Sequence, residues 1–214
     1  MKKIKAVIFD IDGTLANTIP LIIKAYRQAV EPLVHRSLTD DEIVATFGPS
    51  EEGSVRAMVP DDYKKGTADF LGFYKEFHDM CPSPFDGTRE VLNTLKGKGV
   101  KIAIATGKGK ETIDFSLHRF DLAGFFDRIE AGSPEGSRKI EAIQLILDSF
   151  SVEKDEAIYV GDSPNDIKES REAGVAVVAA AWAETAKRDR LKELKPDEIF
   201  YTVNDFGKWL NTQI

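Results

Sequence analysis

Residues 6–15 read Ala-Val-Ile-Phe-Asp-Ile-Asp-Gly-Thr-Leu, a short apolar run that leads into two aspartates separated by one residue. A continuous apolar run of this length is typical of a parallel β-strand buried on both faces. Two carboxylates so close together at the end of a buried strand repel each other and lose hydration, so a positive partner or a raised pKa must offset the cost. A hard divalent cation with oxygen ligands is the simplest such partner. Asp10 and Asp12 are therefore the first candidate site residues.

Three further apolar runs follow the first one along the chain, at 100–105, 157–161 and 175–181. Amphipathic segments that predict helices alternate with the runs, and these segments span 87–97, 111–120, 139–149 and 164–173. Strands that alternate with helices of this length indicate βαβ units and a parallel sheet. The sequence therefore predicts an α/β protein with a doubly wound, Rossmann-like parallel sheet.

The interval between the first two apolar runs is far longer than a single crossover helix needs. Its residues 18–82 show helical periodicity and little strand character. Pro82-Ser83-Pro84 then predicts a stiff exit, because a residue before proline resists the helical conformation. We expect an all-helical domain at 18–82, inserted after the first strand into an α/β core formed by 1–17 and 83–214.

Composition narrows the class of protein. Hydrophobic residues make up 42% and charged residues 30% of the 214 residues, a balance that predicts a globular chain rather than a disordered one. The net charge of −7 without a basic block argues against binding to nucleic acid or to an anionic membrane. No apolar run approaches the ~18 residues that a membrane span needs, and the first run is shorter than the ~7–15 residues of a signal-peptide core. The single Cys81 cannot form an internal disulfide, which favours a cytoplasmic protein, and no protein partner is implied.

Polar residues directly follow the strands of the predicted sheet. Ligands of open α/β sheets bind outside the carboxyl ends of the strands. Thr106-Gly107-Lys108 follows the second apolar run, and Asp162-Ser163-Pro164-Asn165-Asp166 follows the third. Such residues are also common as helix caps and turn formers. Together with the first two aspartates, however, they bring four carboxylates and a hydroxyl to one edge of one sheet.

The order of these motifs resembles that of the haloacid dehalogenase superfamily over nearly the whole chain. The matching residues are Asp10-Ile11-Asp12-Gly13-Thr14-Leu15, then Thr106, then a basic residue near 139, then Gly161-Asp162 with Asp166. The helical insertion resembles the cap domain of the branch that contains phosphoglycolate phosphatases and β-phosphoglucomutases. The resemblance implies a Mg²⁺-dependent phosphatase that acts on a small phosphorylated metabolite through an aspartyl-phosphate.

The resemblance also implies a role for each matching residue. Asp10 would be the nucleophile, and Asp12 would protonate the leaving group and then activate water. Thr106 and the backbone N–H of Gly107 would hold phosphoryl oxygens. The Mg²⁺ site would consist of the Asp10 carboxylate, the Asp12 backbone carbonyl, Asp162 and, directly or through water, Asp166.

The catalytic cation is where the sequence departs from the family pattern. Relatives often carry Lys-Pro before this helix, whereas residues 136–140 read Gly-Ser-Arg-Lys-Ile. Lys139 is the expected residue, because a positive charge at a helix start is mildly unfavourable against the helix dipole and so favours a functional reason. Arg138 is the alternative, and Lys108 and Lys110 also stay open.

Substrate selection is expected from the loop of the helical insertion at 47–53, Phe-Gly-Pro-Ser-Glu-Glu-Gly. Glu51 and Glu52 could face a cationic or hydroxylated leaving group, and Arg56 could face a second anion. The residues expected to bind the phosphate or the rest of the substrate are Gly13, Thr106, Gly107, Lys139, Gly48, Ser50 and Arg56.

Several activities compete with a phosphatase. Asp12 favours transfer of a phosphoryl group from oxygen, because dehalogenases and phosphonatases of the superfamily generally lack an aspartate there. A sugar phosphomutase of the β-phosphoglucomutase type and a pyrophosphatase stay open. A phospho-receiver domain also combines acidic residues, a Thr and a Lys, but it lacks the insertion and carries its phosphoacceptor after a later strand. A catalytically silent metal-binding module is the last alternative.

Overall fold

The structure is a computed structural model and describes residues 3–214. Its sheet has six strands in the order β3-β2-β1-β4-β5-β6, and every neighbouring pair is parallel. The strands are β1 (Ala6–Phe9), β2 (Lys101–Ala105), β3 (Arg128–Glu130), β4 (Ala157–Gly161), β5 (Ala176–Ala180) and β6 (Glu198–Phe200). The predicted α/β class with a parallel sheet is confirmed.

The central strand β1 explains why the apolar runs are continuous rather than alternating. Successive side chains of a strand point to opposite faces of the sheet. Val7 and Phe9 belong to the core cluster on one face, whereas Ala6 and Ile8 belong to the cluster on the other face. Because both faces are buried, every residue of β1 is apolar and buried.

Four helices of the core lie at the predicted places, and two further helices follow β5 and β6, where the sequence analysis predicted none. Those of the core are α5 (Thr88–Gly97), α6 (Lys110–Arg119), α7 (Lys139–Phe150), α8 (Pro164–Ala173), α9 (Arg188–Glu193) and α10 (Val203–Leu210). The start of α8 is fixed by a capping box, in which the Ser163 side chain accepts from the Asp166 N–H and Asp166 accepts from the Ser163 N–H. The helix ends at Gly174, whose φ of +84° closes the last turn.

Five helices lie between β1 and β2 along the chain, and the four that precede the core helix α5 form the insertion. These insertion helices are α1 (Ile19–Val34), α2 (Asp40–Val44), α3 (Glu51–Met58) and α4 (Tyr63–Glu76), and a 3-10 turn at Phe77–Met80 follows them. Tyr26 of α1 and Phe70 of α4 meet edge to face with ring centroids 6.5 Å apart. The segment is helical as predicted, while its boundaries as a separate domain at 18–82 stay a prediction. None of the helices in the described part of the chain is long and apolar enough to cross a membrane.

Candidate active site

The topology of the sheet brings three polar segments to one edge. In strand order, β1 lies between β2 and β4, and the chain direction of the crossovers reverses there, which is where ligands bind in such sheets. The parallel register aligns Phe9 with Ile104 and with Val160. Asp10, Thr106 and the residues after β4 therefore follow the ends of adjacent strands.

Three carboxylates converge at this edge. One carboxylate oxygen from each of Asp10, Asp162 and Asp166 lies within 4.8 Å of the other two. Burial raises the pKa of Asp10 to about 6, against the opposing charge of Lys139. Burial and the neighbouring carboxylates of Asp166 and Asp10 hold the pKa of Asp162 well above its usual range. The cluster is thus a place where added positive charge is strongly favoured.

Lys139 supplies one positive charge to the cluster. Its Nζ lies 3.1 Å from Asp10 Oδ2, donates to Asp166 Oδ1 and sits 5.3 Å from the ring centre of Tyr159. Burial by itself disfavours the ammonium, but the Asp10 and Asp166 carboxylates raise the pKa of Lys139 well above its ordinary value. Lys139 is therefore a buried cation beside Asp10. Arg138 instead points to Glu130 and Glu141, away from the cluster.

Asp166 holds this lysine in place. Its carboxylate accepts from the Tyr159 hydroxyl at 3.2 Å and from the Ser163 N–H at 2.8 Å. Burial opposes ionisation, but Lys139 and the Ser163 donors lower the pKa of Asp166 below its usual range. Asp166 is thus a charged carboxylate surrounded by hydrogen-bond donors. This arrangement suits a residue that positions Lys139.

Two glycines make room for the acidic side chains. Gly13 has a φ of +75°, and a Cβ at this position would lie 2.1 Å from Asp162 Oδ2. A Cβ on Gly161 would lie 2.5 Å from Asp166 Cγ. Within residues 3–214, Asp162 has no ion pair or side-chain hydrogen bond of its own. An all-oxygen donor set with an unpaired carboxylate fits a hard divalent cation such as Mg²⁺.

Asp12 faces a second buried lysine rather than the three-carboxylate cluster. Lys108 Nζ lies 3.1 Å from Asp12 Oδ1, and the Thr18 hydroxyl donates to the same oxygen. The ammonium also lies 3.7 Å from Glu51 Oε1 and 4.3 Å from the ring centre of Tyr74. The Lys108 side chain has 0% exposure. Burial opposes the charge of Lys108, but its acidic neighbours, with Asp12 contributing most, raise the pKa of Lys108 well above its ordinary value.

The loop after β2 depends on a glycine that the sequence did not single out. A Cβ on Gly132 would lie 1.9 Å from the carbonyl oxygen of Gly107, and the Gly132 N–H donates to the Lys108 carbonyl at 2.8 Å. A Cβ on Gly107 would lie 3.1 Å from the carbonyl oxygen of Gly48. Thr106, whose hydroxyl accepts from the Lys108 N–H at 3.3 Å, begins this loop. The glycines let three backbone segments meet beside Asp10.

The loop before α3 and the first turns of α3 contact the core at several points. The Ser50 N–H donates to the Ser133 carbonyl at 2.9 Å, and Arg56 donates to the Pro134 carbonyl at 2.8 Å and lies 3.2 Å from Glu135. Glu51 accepts from the Gly109 N–H at 2.6 Å and from the Thr112 hydroxyl. The structure therefore places Ser50 and Arg56 in contacts between elements and not with the other predicted site residues.

A cavity of about 490 Å³ lies between the strand ends and the insertion helices. The predicted site residues that line it are Asp10, Asp12, Gly48, Thr106, Gly107, Lys139 and Asp162. A cavity of this size is typical of small-molecule sites. The other predicted site residues, Gly13, Ser50, Arg56 and Asp166, do not line it.

Comparisons with known proteins show which proteins this chain resembles in sequence and in fold. A family model described as haloacid dehalogenase-like hydrolase matches residues 7–180. A Caldanaerobacter subterraneus relative named putative pyrophosphatase PpaX is 31% identical over an alignment of 214 positions, which covers 97% of this chain and 94% of its own. A Haemophilus somnus structure described as a predicted phosphoglycolate phosphatase has a TM-score of 0.80 at 23% identity, covering 98% and 99% of the two chains. CbbY of Rhodobacter sphaeroides, solved with xylulose-1,5-bisphosphate, has a TM-score of 0.80 at 18% identity, covering 95% and 96%.

Proposed function

We propose that this chain, which belongs to the haloacid dehalogenase-like hydrolase family, is a Mg²⁺-dependent phosphatase that hydrolyses a small soluble phosphomonoester. The observation that carries the proposal is the position of the Asp10 carboxylate. It lies at the carboxyl end of the central strand, 3.1 Å from the Lys139 ammonium, within the Asp10–Asp162–Asp166 cluster and on the wall of the cavity. A cytoplasmic location, expected from the sequence, stays a prediction.

Asp10 is the proposed nucleophile. Its oxygen attacks phosphorus, the bond to the leaving alkoxide breaks, and an aspartyl-phosphate forms. Attack of a carboxylate on a phosphate dianion brings like charges together, and each pair at ~4 Å costs about 4 kcal/mol at an effective dielectric of 20. Lys139 offsets part of this repulsion because its ammonium contacts the attacking carboxylate.

Asp12 is the proposed acid and base. It would give a proton to the departing alkoxide and take one from the water that then attacks the aspartyl-phosphate. Lys108 donates to Oδ1 at 3.1 Å and more weakly to Oδ2 at 3.5 Å, and Thr18 donates to Oδ1, which together fix the orientation of the carboxylate. The Thr106 hydroxyl and the Gly107 N–H are the proposed donors to the phosphoryl oxygens.

Asp10, Asp162 and the Asp12 backbone carbonyl would hold the Mg²⁺ ion, with Asp166 in support. A bound divalent cation supplies charge neutralisation and alignment of the nucleophile with the phosphoryl group. The unpaired Asp162 carboxylate, which takes the space left by the missing Cβ of Gly13, supports this assignment.

Release of inorganic phosphate from p-nitrophenyl phosphate, with and without Mg²⁺, tests the proposal. Asp10→Asn should abolish turnover and leave the fold intact, because the amide is isosteric but not nucleophilic. Asp12→Asn should slow both half-reactions and so lower the rate of phosphate release. Normal turnover by Asp10→Asn would remove Asp10 as the nucleophile, and absence of Mg²⁺-dependent release would reject the phosphatase assignment.

Pyrophosphate is a second candidate substrate, because the PpaX relative is named for it.

A sugar phosphomutase differs from a phosphatase in its product. A phosphatase or a pyrophosphatase releases inorganic phosphate, whereas a mutase conserves organic phosphate and depends on a bisphosphate primer. Product analysis therefore separates a mutase from a phosphatase and a pyrophosphatase. Comparison of pyrophosphate with phosphomonoesters as substrates separates the phosphatase from the pyrophosphatase.

A further inference from the structure

One face of α1 forms the roof of the cavity. Ile19, Ile22, Ile23 and Tyr26 all line it. Residues spaced by three and four positions share one face of a helix. Tyr26 adds little polarity to this face, because its hydroxyl already donates to the Ser54 carbonyl at 2.9 Å. The roof is therefore built from aliphatic and aromatic surface.

The neighbouring elements continue this apolar surface. Val44 at the end of α2, Phe47 in the loop before α3 and Phe70 of α4 also line the cavity. Val44 and Phe47 are half-buried, so each keeps surface that a bound molecule can cover. These residues face the edge of the sheet that carries Asp10 and Asp12.

The insertion helices and their loops bring no positive charge to the cavity. Among the described residues that line it, the charged ones from this part of the chain are Asp41 and Glu51, both acidic. A second phosphate or a carboxylate on the substrate would meet apolar side chains and negative charge on this side. An anion in such a place loses hydration without a compensating partner.

The lysines of the core do not supply a free positive charge to this side of the cavity. Lys108 is fully covered, with Asp12, Glu51 and the Tyr74 ring around its ammonium. The Lys139 ammonium is paired with the carboxylates of Asp10 and Asp166. The remaining lining cation, Lys187, is exposed and precedes α9 in the core.

We propose that the alcohol portion of the substrate is uncharged and largely apolar, so that the enzyme prefers alkyl or aryl phosphates to pyrophosphate, phosphoglycolate and bisphosphates. This inference rests on the proposed phosphatase function and adds the substrate class. The phosphate binds at the strand ends, and the alkyl or aryl group lies against Ile19, Ile23, Val44 and Phe47.

A substrate series tests the inference directly. With Mg²⁺ present, kcat/KM for phosphate release should rise from ethyl to butyl to hexyl phosphate by about fourfold per added methylene, which corresponds to about 0.8 kcal/mol. Pyrophosphate and phosphoglycolate should fall at least 100-fold below hexyl phosphate. An equal or higher kcat/KM for pyrophosphate or phosphoglycolate, in a protein that also cleaves the alkyl phosphates, overturns the inference alone. No release from any of these compounds overturns the proposed function together with it.

A substitution that places a positive charge in the roof of the cavity provides a second test of the inference. Ile23→Arg should raise the ratio of kcat/KM for pyrophosphate over hexyl phosphate at least tenfold, because it places a cation on the insertion side of the cavity, where the described lining residues carry none. Gln28→Arg is the matched control, since Gln28 is exposed on the same helix and does not line the cavity. Far-ultraviolet circular dichroism establishes that both variants fold. A folded Ile23→Arg with the wild-type ratio, or an equal change in Gln28→Arg, contradicts the inference.

Discussion

The buried Lys108 and the partly buried Asp12 form an ion pair between two strand-end loops, with 3.1 Å between the ammonium and the carboxylate oxygen. Glu51 of α3 lies 3.7 Å from the same ammonium, so one lysine joins both strand-end loops to the insertion helices. The lysine side chain is inaccessible to solvent. A buried charge of this kind is costly unless it is paired, so the three side chains depend on one another.

Lys108→Met should therefore destabilise the protein by about 3–5 kcal/mol, because it leaves two carboxylates without their shared cation. It should also lower kcat, since Asp12 loses the partner that orients it. Urea unfolding and phosphate release measure the two effects. The control is Lys110→Met, whose lysine is 80% exposed and pairs with Asp114; it should change stability by less than about 0.5 kcal/mol. Equal effects of the two substitutions would refute the role of Lys108.

Gly132→Ala should damage the loop that we assign to phosphoryl binding. The new Cβ would lie 1.9 Å from the Gly107 carbonyl oxygen, so the loop after β2 must move. We expect kcat/KM to fall at least tenfold for every substrate, because the shared phosphate contacts are displaced. Gly124→Ala is the matched control, since a Cβ there meets nothing within 4 Å. Steady-state kinetics measure both variants, and wild-type kcat/KM in Gly132→Ala would show that the loop tolerates the displacement.

The central strands were predictable from the sequence because burial on both faces makes their residues continuously apolar. Two edge strands were not located. Arg128–Glu130 and Glu198–Phe200 are three residues long, only partly buried or exposed, and carry charged residues, so neither has a strand-like pattern. The predicted interval after Thr106 had room for one strand but gave no signal for its position.

The sequence favoured Lys139 over Arg138 as the cation, but the geometry that separates these two neighbours could not be predicted from it. Arg138 and Lys139 are adjacent, and only the orientation of the first turn of α7 sends Lys139 to Asp10 and Arg138 to Glu130 and Glu141. The orientation follows from packing, which local composition does not encode. For Lys108, the covering ring of Tyr74 comes from the distant helix α4.

Mg²⁺ should stabilise the wild-type protein and not Asp162→Asn. An ion that binds only the folded state at about 100 times its Kd adds about 2.7 kcal/mol, which for a chain of this size raises Tm by roughly 5–11 °C. Asp162→Asn removes a charged ligand from the proposed site. Asp189→Asn is the control, because its side chain is 98% exposed. Thermal unfolding with and without Mg²⁺ measures the shift, and an unchanged shift in Asp162→Asn would exclude Asp162 as a ligand.

In the absence of divalent metal, the stability of the wild type relative to Asp10→Asn should fall as the pH rises from about 4 to about 6. The pKa of Asp10 is raised from 3.8 to about 6 in the folded protein, mainly by burial. The folded state then binds the proton more tightly than the unfolded state. The stabilisation is complete below the unfolded value and is lost as the pH rises through the folded value.

A shift of this size corresponds to about 3 kcal/mol at 1.36 kcal/mol per pKa unit. Urea unfolding in EDTA, compared between the wild type and Asp10→Asn at each pH, isolates this contribution, because the amide does not titrate. The wild type should lose stability relative to the variant across the interval. Mg²⁺ should reverse the loss above pH 6, since the ionised carboxylate that weakens the metal-free protein is the form that binds a cation. A wild type that instead gains stability relative to Asp10→Asn over this interval would mean that Lys139, rather than burial, dominates the charge state of Asp10.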